Sequence, residues 1–370
     1  MDIDTLGIKK SHLNAFHWKN EWQIPLAIRV ENMQSYNGIC YDEPDFLPRL
    51  FDRQMDNLQK SIALGSDYIP TLPILNYGTG IVASLLGAKI SLANKNYPIA
   101  LGLGFNIMPV ITSLESIGKL RANKDNPFYE KLLAHYNYYI KHAPEGIAVC
   151  GSPEDPFDVA HVLRGNDLFL DMVDDPERTH ELLDLCTQLV IDTEIELRTL
   201  TGQFKDGIMQ PSPSIDGLWM EGFRIAGDSL IMISREMIHE FVIPCYEKMS
   251  RAFGCKLYVH FCSTKSLDGE QLLNAFLDCD VVVGLSTQFG LELMEKRYNE
   301  IHGKLMFDTC YDGAHVYYIE KYGDEKRFAE YVKRTFGKRS GLIVNVRVLS
   351  EEEGKRLVNI WHETLFNVCK

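Results

Sequence analysis

Apolar and polar positions change period repeatedly along the chain, and each change predicts an element, because side chains alternate across a strand and recur every three to four residues on a helix. Ile24–Val30 reads as a strand, with Ala27, Arg29 and Glu31 on one face. Pro48–Leu64 has apolar residues at helical spacing, and Tyr68–Leu75 follows as a β-type run broken by two prolines. From Asn76 to Arg121 the pattern loosens around Gly78, Gly80, Gly87, Pro98, Gly102 and Gly104, which predicts an irregular insertion, a surface elaboration or a lid. Order returns with an aromatic-rich helix over Pro127–His142 and a short strand over Gly146–Cys150. Asp175-Pro176-Glu177 supplies an N-cap, a proline for the first turn and an early acid, so a long helix is expected to run to about Leu200. Asp206–Arg224 is rich in Gly, Pro and Ser and reads as a connection; Ser229–Ile233 reads as a strand, and Ser234 caps a helix running to Phe253.

The stretch Lys256–Ser263 combines a strand pattern with metal-type side chains. Leu257, Val259 and Phe261 share one face, while Tyr258, His260 and Cys262 share the other. An imidazole and a thiol two residues apart can bind zinc, both being borderline-soft ligands; the alternative is a core histidine beside an inert cysteine. Three more strands are expected at Val281–Ser286, Leu305–Cys310 and Leu342–Arg347, separated by helices over Leu291–Ile301 and Lys326–Phe336 and followed by one over Glu351–Phe366. Eight strands alternating with helices, without repeat or linker, predict a single (β/α)8 barrel over residues 1–370, with an N-terminal extension to residue 21 and the insertion at 76–121. A doubly wound sheet is the competing architecture, but no Gly-x-Gly-x-x-Gly follows any strand.

Composition narrows the partners. The chain has 370 residues, 45% of them hydrophobic, enough for a large core, and a net charge of -13 without any basic run. Nucleic acid and anionic membranes are therefore not expected partners. The N-terminus lacks a basic region leading into an apolar core, and no stretch approaches a membrane span, so a cytoplasmic protein is expected. Nine cysteines without regular spacing fit reduced thiols better than a disulfide framework.

Asp174-Asp175-Pro176-Glu177, Ile233-Ser234-Arg235-Glu236-Met237 with Glu240-Phe241 and Pro244, His260-Phe261-Cys262 and Val283-Gly284-Leu285 stand in an order and spacing that resembles the uroporphyrinogen decarboxylase superfamily. The resemblance implies a (β/α)8 barrel and two kinds of activity. Its decarboxylases work without metal, gripping substrate carboxylates through an N-terminal arginine motif. At that place this chain reads Leu-Ala-Ile-Arg-Val-Glu-Asn, keeping Arg29 and adding Glu31; Asp67 is similar to the aspartate that holds pyrrole nitrogens, His161 falls near a tyrosine position and Val348 near a histidine. Its corrinoid methyltransferases bind zinc through His-x-Cys and a later cysteine. His260 and Cys262 match the pair, while the later cysteine falls near Val348, so Cys310, or Asp308 on the same strand face, is the expected third ligand.

The methyltransferase side of the resemblance implies zinc on His260, Cys262 and Cys310, a thiol, hydroxyl or ether substrate, and methylcobalamin carried by a separate corrinoid protein, since the chain has no Asp-x-His-x-x-Gly motif of its own. Arg29, Glu31, His161, Asp228 and Tyr258 are the inward candidates for catalysis and substrate positioning. A homodimer is compatible with the resemblance. Two alternatives stay open: a metal-free decarboxylase-like enzyme acting on a tetrapyrrole through Arg29, Asp67 and His161, and a barrel that binds a small molecule without turning it over.

Overall fold

The computed structural model describes residues 5–20, 22–31, 36, 39, 41–74, 77, 80–92, 105–262, 266–286, 292–308, 329–330, 332–333 and 340–368. Eight short parallel strands organise them: β1 (Leu26–Val30), β2 (Thr71–Ile74), β3 (Ala148–Gly151), β4 (Phe223–Ala226), β5 (Leu257–His260), β6 (Val282–Ser286), β7 (Met306–Asp308) and β8 (Leu342–Val348). Six form one sheet in the order β1-β8-β7-β6-β5-β4, so the first strand pairs with the last, and β2 pairs with β3. A single bridge between Glu154 and Ala226 links the segment after β3 to β4. Between β1 and β2 side chains replace a ladder: Asp67, Ser66 and Ser61 accept the backbone N–H groups of Leu26, Ile28 and Val30 at 2.9, 3.1 and 2.9 Å. Short polar side chains thus take the donors that a neighbouring strand would otherwise have used. The arrangement is TIM-barrel-like, without a closed ladder among the described residues.

One expected strand is displaced. Ser229–Met232 lies instead in a short 3-10 helix, Asp228–Met232, with Ile233 as its extended C-cap, and the strand is Phe223–Ala226, within and just beyond what reads as a connection. Asp158 explains the helix, because its carboxylate accepts the N–H groups of Asp228 and Ser229, both at 2.8 Å, and so satisfies a helix start rather than a ladder. The region 76–121 contains, among its described residues, a helix over Gly80–Leu85, an antiparallel pair, Ile90–Leu92 with Phe105–Ile107, and a 3-10 turn over Leu114–Lys119. The long helix is Pro176–Leu200, with the Asp175 side chain accepting the N–H of Arg178. No helix among the described residues is long and apolar enough to cross a membrane.

Helices cover the outward strand faces, where Ile28, Ile225, Val259, Leu285 and Val344 join one large apolar core. Inside, the N-terminal halves of the strands contribute Ala27, Tyr258, Met306 and Ile343, which pack with Ala15 and Phe16 of an N-terminal helix, Thr5–Phe16. That helix is held there by polar contacts as well. His12 accepts the N–H of Trp219 at 2.9 Å through Nδ1, and burial lowers its pKa to about 4, keeping the ring neutral and able to accept. With that end filled, the C-terminal strand ends are left to carry the chemistry.

Candidate metal centre

The parallel register assembles the site. Ala226 stands beside His260, His260 beside Ser286, and Ser286 beside Asp308, across four consecutive strands of the sheet. Inward side chains at neighbouring register positions can reach one another, and here they do. His260 Nδ1 lies 3.0 Å from Ser286 Oγ, which donates to Asp308 Oδ1 at 3.1 Å. Tyr258 reaches across β6 to complete the row: its hydroxyl is 2.7 Å from Asp308 Oδ2 and 2.9 Å from the Leu285 carbonyl oxygen, and it accepts the N–H of Asp308 at 3.0 Å. Gly284 makes that reach feasible, because a Cβ there would sit 2.4 Å from Tyr258 Cε2 and 2.6 Å from the Met306 carbonyl oxygen.

The other imidazole nitrogen faces the strand ends. His260 Nε2 is 3.4 Å from Cys262 Sγ, and Asp228 Oδ1 accepts the N–H of Cys262 at 2.7 Å. One ligand atom each from Asp228, His260 and Cys262 lies within 4.8 Å of the others, with His260 buried and the two flanking residues exposed. Zinc–sulfur and zinc–nitrogen bonds of about 2.3 and 2.05 Å at a tetrahedral angle place sulfur and nitrogen roughly 3.5 Å apart, which the 3.4 Å separation fits. The donor set of one imidazole, one thiol and one carboxylate suits the same ion.

Asp228 is fastened from behind. Besides the Asp158 clamp on its N–H, the N–H of Gly227 donates to the His260 carbonyl oxygen at 2.8 Å, and a Cβ at Gly227 would lie 2.7 Å from Leu230 Cδ1. Burial raises the carboxyl pKa of both Asp155 and Asp158, and the nearby Asp155 pushes Asp158 further up. Asp308, also buried and near Asp216, is raised from 3.8 to about 7. Since the folded chain holds that proton more tightly than the unfolded chain, the stability it contributes is full below 3.8 and is lost as pH rises through about 7. The urea midpoint of metal-free protein is therefore expected to fall between about pH 5 and about pH 8, and less steeply in Asp308→Asn. An equally steep fall in that variant would assign the effect elsewhere.

The remaining sequence candidates lie in different surroundings. Arg29 and Glu31 pair with each other at 3.1 Å, Arg347 Nε meets the same Glu31 oxygen at 2.8 Å, and Asp216 joins Arg29 to Arg224 at 3.4 and 3.3 Å, making one buried ion cluster inside the strands. His161 sits on the helix Pro156–Arg164, with Nδ1 2.9 Å from Ser229 Oγ, Nε2 3.3 Å from Asn166 Oδ1 and its ring against Phe169; it touches the residue after Asp228 and not the His260–Cys262 pair. Asp67 is engaged at the opposite end of the strands, on the N–H of Leu26. Tyr258 serves Asp308. Cys310 lies outside the described residues.

The structure thus brings Asp228, read from the sequence as a catalytic or substrate-positioning group, within 4.8 Å of the His260 and Cys262 donor atoms, where the three could hold a metal ion, and adds Ser286 and Asp158, which sequence reasoning did not single out. A signal existed for the first: with β4 placed at Phe223–Ala226, Asp228 falls just past the C-terminal end of a strand, where such folds keep reactive residues. No protein-family model matches the chain, and no curated protein matches it. Among solved structures, a methyltransferase from Methanosarcina mazei superposes with a TM-score of 0.64 at 13% sequence identity, covering 96% of this chain and 98% of that one. At that identity the likeness concerns the backbone, and the chain shares its fold with a methyltransferase over nearly its whole length.

Proposed function

We propose that the protein is a zinc-dependent methyltransferase related to the uroporphyrinogen decarboxylase superfamily, its eight strands forming one (β/α)8 barrel elaborated by the segments 1–21 and 76–121. Asp228, His260 and Cys262 hold the metal in this reading. The observation that carries it is the convergence of three donor atoms within 4.8 Å at the C-terminal strand ends, with sulfur and nitrogen at tetrahedral-zinc separation. Bound there, zinc would lower the pKa of a substrate thiol or hydroxyl enough to supply the nucleophile near neutral pH. The chain's own residues aim the ligands: Ser286 holds the imidazole, and Asp158 and Gly227 hold the turn that carries Asp228.

The methyl donor in this reading is methylcobalamin on a separate corrinoid carrier protein. Such a carrier would supply an electrophilic methyl group, and Asp228, His260 and Cys262 would hold the zinc that lowers the pKa of the accepting thiol. Two measurements test the proposal. Protein purified without chelator is expected to contain about one zinc per chain, and Asp228→Ala is expected to lose most of it. With free methylcobalamin and a panel of small thiols, the zinc-loaded protein is expected to accelerate the loss of the methylcobalamin spectrum, and chelator to abolish the acceleration. A metal-free parent that cannot be loaded with zinc would end this reading.

A further inference from the structure

A metal-binding imidazole must offer a bare nitrogen, and which nitrogen is bare depends on what the other one bonds to. His260 presents Nδ1 to Ser286 and Nε2 to Cys262. Ser286 has a single hydroxyl proton. Given to Asp308 Oδ1, it leaves the serine oxygen to accept from Nδ1–H, so Nε2 is bare and faces the site. Given to His260, it forces the imidazole hydrogen onto Nε2, where it blocks ligation. The choice is therefore made at Asp308 Oδ1.

An ionised Asp308 accepts there without difficulty; a protonated one does so only if its proton sits on Oδ2. Tyr258 selects that position. Its hydroxyl accepts the N–H of Asp308 and lies close to both the Leu285 carbonyl oxygen and Oδ2. With the acid proton on Oδ2, Asp308 donates to Tyr258 and Tyr258 donates to Leu285, so each of these three contacts has its own hydrogen. With the proton on Oδ1, the one phenolic hydrogen would have to serve both Leu285 and Oδ2. Ionised or protonated, Asp308 accordingly keeps Oδ1 as an acceptor for Ser286.

We propose that Tyr258, Asp308 and Ser286 form a positioning relay that fixes His260 as its Nδ1–H tautomer, with Nε2 bare before any metal arrives. This deepens the metal-site reading and rests on it for its purpose, yet it concerns the metal-free chain and is tested there. The probe is nitrogen-15 NMR of histidine-labelled, metal-free protein at a pH where imidazole is neutral, His260 being assigned by the loss of its signals in His260→Gln. The parent is expected to show a protonated Nδ1 and a bare Nε2. Asp308→Asn is expected to keep that pattern, because its amide can donate to Tyr258 while its carbonyl oxygen faces Ser286. Ser286→Ala and Asp308→Ala are expected to populate the Nε2–H form and to weaken zinc affinity by about 10- to 100-fold in a competition titration. A parent with its proton on Nε2, or an unchanged tautomer in folded Ser286→Ala, overturns the relay. If the parent binds zinc and shows the Nε2–H form, the relay alone falls; if it shows the Nδ1–H form and refuses zinc, the relay stands and the zinc reading falls.

Discussion

Replacing His260 by alanine is expected to weaken zinc binding by about three orders of magnitude, the largest effect of any single change at the centre. Sites with four protein ligands bind zinc with about 10–16 kcal/mol, so one ligand accounts for roughly 3–4 kcal/mol, or two to three factors of ten. His260 should fall at the upper end of that range. It is 4% exposed, whereas Asp228 and Cys262 both face solvent and could be replaced in part by water. It is also the member whose ring is held from behind, at Ser286, so its truncation removes a preorganised donor and not a mobile one. A competition titration against a chelator of known affinity measures the change. An affinity within tenfold of the parent would mean that the imidazole is not a ligand.

Glu31→Gln is expected to cost about 3–5 kcal/mol of folding stability, because it removes the counterion shared by the buried Arg29 and the half-buried Arg347. Arg29 and Arg347 face each other in the register of β1 and β8, the pairing of the first strand with the last, and the same Glu31 oxygen meets both. Like charges at directly opposed strand positions repel, and here the side chains are only 9% and 16% exposed, so water screens them little. The glutamine keeps the volume and loses the charge, which separates electrostatics from packing. Urea unfolding of the metal-free protein reads the result as a lowered midpoint at constant slope. A loss below about 1 kcal/mol would show that Asp216 and solvent neutralise the pair adequately. Combining Glu31→Gln with Arg347→Gln should recover part of the loss, since the second change removes one of the two like charges that Glu31 stands between.

The features legible in the chain are those that local rules set. Period-two alternation placed Tyr258 and His260 on one face of a strand and Leu257 and Val259 on the other, and the structure turns the first pair inward and the second toward the helices. Asp175-Pro176 marked the start of the long helix because capping is a contact between near neighbours. The parallel strand and helix alternation was legible for the same reason.

Tertiary structure alone decided what stands beside what. Phe-Arg-Ile-Ala is a strand here because it pairs with β5, while the more apolar Ser229–Met232 coils into a 3-10 turn because Asp158, 70 residues upstream, takes its first N–H groups. That pairing brings Asp228 to Cys262, 34 residues on, and strand register brings Ser286 and Asp308 behind His260. Nothing in the local pattern of any of these segments encodes its partner. Register between distant strands follows from how the whole sheet buries its outer face against helices, and only once that burial is satisfied are three separated side chains held close enough to share one ion.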